Sequence, residues 1–252
     1  MTMNWTDRFS IAGRTALVTG GSSGIGAEIV KVFADAGARV IATGQSQTRL
    51  TAVAATTGCE TIVADISTAE GCNALVKNAL ALSPRIDILV NSAGVALVGS
   101  VLSYSAEDWD RTMAINLRAP FLLAKGLAPA MIAAKAGKII NISSQTGVIA
   151  LPDHAAYASS KGGLNTLTKS LMTELAPHNI QVNAICPTVV MTDMGKKIWS
   201  PPEKSGPMIA ATPLGRFGEP IEIADMALYL ASPASELVNG ALMMIEGGYS
   251  SI

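Results

Sequence analysis

Thr15-Ala16-Leu17-Val18-Thr19-Gly20-Gly21-Ser22-Ser23-Gly24-Ile25-Gly26 decides the fold. Its first five residues form an apolar, β-branched run, its middle is rich in glycine, and apolar residues recur at helical spacing from Ile25 to about Ala36. That reads as strand, tight turn, helix. Moving outward, the alternation repeats: Arg39 to Thr43, Glu60 to Ala64, Ile86 to Asn91, Lys138 to Ser143, Ile180 to Ile185 and Leu242 to Ile245 read as short buried strands with helical stretches between them. Near-continuous apolar strands alternating with helices predict a parallel sheet, covered on both faces and joined by right-handed crossovers. The expected architecture is a doubly wound α/β fold with a seven-stranded parallel sheet. No linker, composition break or repeat beyond the β-α unit divides residues 1–252, so one domain is expected. The stretch 191–212, rich in Met, Pro, Gly and Lys, follows the sixth strand and precedes a helix starting near Pro220; it reads as a substrate lid.

Composition narrows the function classes. With 252 residues, a net charge of -1 and 15% charged residues, the chain has neither a nucleic-acid footprint nor a basic membrane-binding face. Apolar residues are spread along it without a run of about 18 that would span a bilayer. Met1 to Ser10, with Asn4, Asp7 and Arg8, lacks the apolar segment of a secretory signal, so a water-soluble, cytoplasmic protein is expected. Cys59, Cys72 and Cys186 are odd in number, far apart and without a C-x-x-C pair, as buried reduced thiols would be. His154 and His178 are the only histidines and neither has a ligand at metal spacing, so no metal site is expected.

Because the glycine-rich turn follows a strand and opens a helix, its backbone amides can meet a pyrophosphate. Glycines let the main chain approach the ligand, and the helix N-terminus supplies free N–H donors and a favourable dipole. A turn made only for packing is the bland alternative. Near the end of the second strand, where an acid would bond a ribose 2′-hydroxyl and a cation would meet a 2′-phosphate, the chain reads Ala42-Thr43-Gly44-Gln45-Ser46-Gln47. Neither determinant is present there. No carboxylate repels a phosphate and Ser22, Gln45 and Ser46 can hydrogen-bond one, so the choice between NAD(H) and NADP(H) stays open with a slight lean to NADP(H).

Tyr157 and Lys161, four apart in a helix-forming segment, project from one face. A free phenol has a pKa of about 10, and a nearby ammonium favours phenolate. The pair alone is an ordinary helical spacing. Ser144, thirteen residues earlier at the end of a strand, stands where ligands bind in a doubly wound sheet and can hydrogen-bond a substrate oxygen.

Taken in order, Gly20-x3-Gly24-x-Gly26, Ala64-Asp65-Ile66, Asn91-Ser92-Ala93-Gly94, Asn116, Ser144 and Tyr157-x3-Lys161 resemble the short-chain dehydrogenase/reductase family along essentially the whole chain. The resemblance implies a single Rossmann-like dinucleotide-binding catalytic domain with Asn116, Ser144, Tyr157 and Lys161 as its catalytic set. Ser144 would orient the substrate oxygen and Tyr157 exchange the proton. Lys161 would hold the nicotinamide ribose, and Asn116 would support a proton relay to Lys161 or, more blandly, bridge backbone. It also implies cofactor contacts from Gly20, Ser22, Ser23, Gly24, Ile25, Gly26, Gly44, Gln45, Ser46, Asp65, Ile66, Asn91, Ala93, Gly94, Tyr157, Lys161, Pro187, Val190 and Thr192. A homotetramer is implied as well, with the Asp108 and Tyr157 regions and Gly240 to Ile252 at its interfaces.

Within the family, Ser143-Ser144-Gln145, Glu174-Leu175-Ala176-Pro177-His178 and Pro187-Thr188-Val189-Val190-Met191-Thr192, followed by Gly195 and Trp199, look closest to L-xylulose/dicarbonyl reductases and bacterial polyol dehydrogenases. Ser144, Gln145, His154, Tyr157 and Trp199 are the expected substrate contacts, with Gln145 and His154 donating to hydroxyls and Trp199 closing a lid. The bland alternatives are a His154 that caps backbone and a Trp199 that packs the lid. The function expected is interconversion of a carbonyl and a secondary alcohol on a small ketose, polyol or dicarbonyl. A reductase of 3-oxoacyl-carrier-protein or other larger substrates is the alternative, and a non-catalytic binding protein is the remaining reading.

Overall fold

The computed structural model describes residues 4–252. In chain order the elements are α1 (Trp5–Phe9), β1 (Thr15–Thr19), α2 (Gly24–Asp35), β2 (Arg39–Gly44), α3 (Gln47–Thr57), β3 (Glu60–Val63), α4 (Ala69–Leu82), β4 (Ile88–Asn91) and α5 (Ala106–Met113). They continue as α6 (Ala119–Ala134), β5 (Gly137–Ile142), α7 (Ala155–Leu175), β6 (Ile180–Pro187), α8 (Asp193–Trp199), α9 (Pro202–Ala210), α10 (Pro220–Ala231) and β7 (Leu242–Ile245). The seven strands form one parallel sheet in the order β3-β2-β1-β4-β5-β6-β7. All seven predicted strands are present. β4 starts at Ile88, two residues later than the apolar pattern predicts; Asp87 just before it bonds to both neighbouring segments, its N–H donating to Thr15 O at 2.8 Å, its C=O accepting the Lys138 N–H at 2.9 Å and its Oδ2 accepting the Thr15 N–H at 2.8 Å.

Period-two alternation sorts each strand between two cores. Ala16, Val18, Val40, Ala42, Val90, Ile140 and Ile185 face Ile29, Val30 and Phe33 of α2 and Ile223, Ala227 and Leu230 of α10. Leu17, Ile41, Leu89, Ile139 and Val182 face Leu75 and Ala79 of α4 and Leu123, Leu127 and Met131 of α6. Burial on both faces explains why the strands read as continuous apolar runs. The helical stretch Ala106–Ala134 is apolar and long enough to cross a membrane by length and composition, but α6 within it packs against α4 and β5 as a core helix. Residues 191–212, expected as a lid, fold as α8 and α9, and Thr192 caps α8 by accepting the Gly195 N–H at 3.1 Å.

Candidate active site

Strand order reverses beside β1, which lies between β2 and β4, and a doubly wound sheet opens a crevice outside the carboxyl ends of its strands at such a point. A cleft of about 400 Å³ lies there, lined from the ends of β1, β4, β5 and β6 and from α7 and α8. Thr19 holds its floor together: its Oγ1 accepts the N–H groups of Ser92 and Ala93, each at 3.1 Å.

One half of the cleft is built for a phosphate. Gly20 has φ +68°, and a Cβ there would stand 2.8 Å from Ala93 Cα, so only glycine fits. Ser23 precedes α2 without spending its hydroxyl on a cap, and no acidic residue lies in that helix's first turn. The first-turn N–H groups of Gly24, Ile25 and Gly26 and the positive end of the α2 dipole therefore serve an anion well. These features fit the pyrophosphate of a dinucleotide. At the neighbouring strand ends, Gln45 Nε2 donates to Asp65 Oδ1 at 3.0 Å, and the same oxygen accepts the Ser67 N–H at 2.9 Å. Those bonds hold the Asp65 carboxyl below its ordinary pKa, the Ser67 backbone bond being the largest cause.

The other half carries proton-transfer groups. Ser144 Oγ accepts from Thr146 N at 3.2 Å and from Thr146 Oγ1 at 2.9 Å. With both acceptor positions filled, its own proton is left to donate. Burial raises the Tyr157 phenol above its usual pKa, and the Ser144 hydrogen bond works against that rise. Lys161 Nζ, 5.7 Å from the Tyr157 ring centroid, donates to Ile142 O at 2.8 Å, and burial lowers its pKa to about 8. The phenol is thus shifted opposite to the direction expected from an ammonium neighbour, because its desolvation outweighs the opposing Ser144 hydrogen bond.

Asn116 lies behind the cleft in a turn of π-helix, Ala114–Arg118, between α5 and α6. Its Nδ2 donates to Val95 O at 2.9 Å and to Ser160 Oγ at 3.0 Å, and its Oδ1 accepts the Val95 N–H at 2.9 Å. A Cβ on Gly94 would lie 3.3 Å from Asn116 Oδ1 and 3.6 Å from Lys161 Nζ, so both atoms border Gly94.

Among the expected substrate contacts, Gln145 is buried and its Oε1 has no partner, as is the case for Thr188 Oγ1 nearby in the lining. The His154 ring does not cap α7; its Nδ1 lies 2.5 Å from Pro152 O. A carbonyl only accepts, so Nδ1 carries hydrogen and Nε2 is the ring nitrogen left for a ligand. Trp199 lines the cleft with its ring centroid 6.0 Å from that of Phe217.

The cleft brings together Gly20, Ser23, Gly24, Ile25, Gly26, Ala93, Gly94, Ser144, Gln145, His154, Tyr157, Lys161, Pro187, Val190, Thr192 and Trp199. Ser22, Gly44, Gln45, Ser46, Asp65 and Ile66 lie beside it rather than in its lining, around the ends of β2 and β3. Asn91 is turned into the sheet, where its Nδ2 donates to Asn141 Oδ1 at 2.8 Å. Arg49, Thr146 and Thr19 escaped the sequence reading. Thr146 followed Ser144 closely enough to be weighed, whereas Arg49 carried no signal beyond its charge. Among the described residues no group of three or more His, Cys, Asp or Glu side chains is placed to hold a metal ion.

A family model described as enoyl-(acyl carrier protein) reductase matches residues 20–250. The chain is 40% identical to a Listeria innocua NAD-dependent glycerol dehydrogenase, covering 99% of both chains, and 42% identical to Bos taurus L-xylulose reductase, covering 95% of this chain and 97% of that one. A crystal structure of a gluconate 5-dehydrogenase from Burkholderia cenocepacia in complex with NADP and tartrate superposes with a TM-score of 0.94 at 32% identity, covering 99% of this chain and all of that one.

Proposed function

Since this chain belongs to the short-chain dehydrogenase/reductase family, we infer that its cleft oxidises a small neutral polyol, or reduces the matching ketose, with NAD(P)(H). The observation that carries this reading is the convergence of Ser144, Tyr157 and Lys161 on one cleft continuous with the glycine turn. A bound nicotinamide supplies or accepts the hydride. Ser144 donates to the substrate oxygen, held in that role by Thr146. Tyr157 gives its phenolic proton to that oxygen in reduction and removes it in oxidation. Lys161 and Asn116 keep the phenol's surroundings polar and positively charged.

The substrate end favours neutral hydroxyls. Beyond Lys161, the lining near Tyr157 is Gln145, His154, Thr188, Trp199 and apolar residues, with no arginine or further lysine among the described residues to pair with a carboxylate or phosphate. Gln145 Oε1 and Thr188 Oγ1 are acceptors suited to O–H donors, and His154 Nε2 is left to meet a hydroxyl. This favours the polyol and ketose chemistry named for the curated relatives over the aldonate of the gluconate dehydrogenase. An acyl-carrier substrate has no comparable feature in its favour. In this reading α8 and α9 cover the substrate, and Trp199 forms the contact face of that cover.

The exposed Trp109 and Phe121 on α5 and α6, with Leu237 and Ile252 towards the C-terminus, support a homotetramer. Three free, buried thiols support a cytoplasmic setting. A panel of C3 to C6 polyols, ketoses, aldonates and acyl thioesters, followed at the nicotinamide absorbance, tests the reading. Turnover of neutral polyols or ketoses that disappears in Tyr157→Phe is expected, and turnover restricted to aldonates or acyl thioesters would overturn it.

A further inference from the structure

We propose that Arg49 is the cation that recognises the 2′-phosphate of NADP(H), making the chain selective for the phosphorylated cofactor. The proposal rests on the dinucleotide reading of the cleft and adds the residue that sets its cofactor preference.

In a doubly wound fold the adenosine ribose lies at the carboxyl end of the second strand, where an acid would bond the 2′-hydroxyl. Here that strand ends at Gly44, and the space an acidic side chain would need is already taken. A Cβ on Gly44 would stand 2.7 Å from Ser22 Oγ and 3.0 Å from Ser22 Cβ. The ribose site has thereby exchanged a carboxylate for a serine hydroxyl. Asp65, just past the end of β3, accepts from Gln45 Nε2 and Ser67 N, which occupies Gln45, while Ser46, the other polar side chain of the β2–α3 turn, caps α3.

What the local sequence lacks, the helix after it provides. Arg49 lies in the first turn of α3 and lines the same cleft as Ser23 and Gly24. It is exposed, and among the described residues it makes no ion pair, so its guanidinium is free for an anion. The first turn of α3 holds no acidic residue, and Ser46 caps it by accepting the Arg49 N–H at 3.3 Å, which fixes where that turn begins. A planar guanidinium pairs with a phosphate through two parallel hydrogen bonds, a match that a ribose hydroxyl does not offer.

The test is direct binding to the whole protein, measured by calorimetry with adenosine 2′,5′-bisphosphate and ADP and by fluorescence with NADPH and NADH. The wild type is expected to prefer the 2′-phosphorylated member of each pair. Arg49→Ala should weaken binding of adenosine 2′,5′-bisphosphate and NADPH by about tenfold to about a hundredfold, so that the preference collapses, and Arg49→Lys should keep part of it. A wild type that prefers NADH, an Arg49→Ala protein with its preference intact, or an equal loss for ADP and adenosine 2′,5′-bisphosphate, which would put Arg49 on the pyrophosphate, each overturns the proposal. Failure of the substrate reading would look different: both cofactors would bind as described and no polyol or ketose would turn over.

Discussion

Replacing Asn116 by Ala tests whether the π-helical turn is held by the contacts described above. Asn116 is almost fully buried and makes three hydrogen bonds, two with Val95 backbone and one with Ser160 Oγ. At about 1 kcal/mol each, and with the Val95 N–H and C=O left unpaired, the truncation should cost about 3 kcal/mol. For a chain of this size that corresponds to a fall of roughly 6–12 °C in the unfolding midpoint. Ser160→Ala removes a single Asn116 partner and leaves the Val95 clamp intact, so it should cost about 1 kcal/mol. Thermal unfolding followed by circular dichroism gives both numbers. Activity assayed well below both midpoints should fall further in Asn116→Ala than in Ser160→Ala, because Val95 lines the cleft. An Asn116→Ala midpoint within about 1 °C of the wild type would refute the reasoning, since even about 1 kcal/mol in total would shift it by about 2–4 °C.

Thr146→Val keeps shape but removes the hydroxyl donor to Ser144, freeing that oxygen to accept rather than donate; kcat should fall by about tenfold with KM little changed, as steady-state kinetics would report. Lys138, at the start of β5 with Ser235 Oγ 3.2 Å from its Nζ, has a pKa lowered by burial to about 8 from 10.5. The unfolded chain therefore binds the extra proton between those values, so this lysine makes stability rise with pH from about 8 to 10.5 and exerts its full penalty below about 8. Lys138→Met should flatten that rise in denaturant titrations at several pH values; an unchanged slope would contradict it. Tyr157 is held protonated by its raised pKa, so the reductive rate should be high at neutral pH and fall in alkali, while the oxidative rate climbs from pH 7 to pH 9. An oxidative profile flat over that range would reject Tyr157 as the base.

Much of the fold was legible because burial on both faces writes the central strands as apolar runs, as Ala16-Leu17-Val18 and Ile88-Leu89-Val90 show, and the glycine turn fixes where the first strand gives way to a helix. The π-helical turn was not legible. Its sequence, Ala114-Ile115-Asn116-Leu117-Arg118, has ordinary helix formers, and the extra residue is stabilised by what Asn116 reaches at Val95, twenty-one positions away. The start of β4 differs from the apolar pattern by two residues, within the ordinary scatter of element ends, since Ile86 and Asp87 lead into the strand and Asp87 already bonds to Thr15 and Lys138.

The chemical residues and the cofactor determinant differ in legibility for a related reason. Tyr157 and Lys161 share one helix face by spacing, and Ser144 at the end of β5 lies where a doubly wound sheet opens its crevice, so local pattern and fold rule together pointed to all three. Recognition at the ribose depends instead on which side chains the β2–α3 turn turns inward, and there local reading pointed to Ser22, Gln45 and Ser46, of which Asp65 holds Gln45 and the α3 cap uses Ser46. Arg49 is five residues past the end of β2, beyond the window in which an acid or a base is sought, and only the packing of α3 beside the glycine turn brings it to the cleft. Gly44 then takes on a different meaning. It is more than a missing aspartate: its bare Cα admits Ser22, and that contact both removes the place for a carboxylate and leaves the charge at the cofactor's far end to a helix rather than a loop.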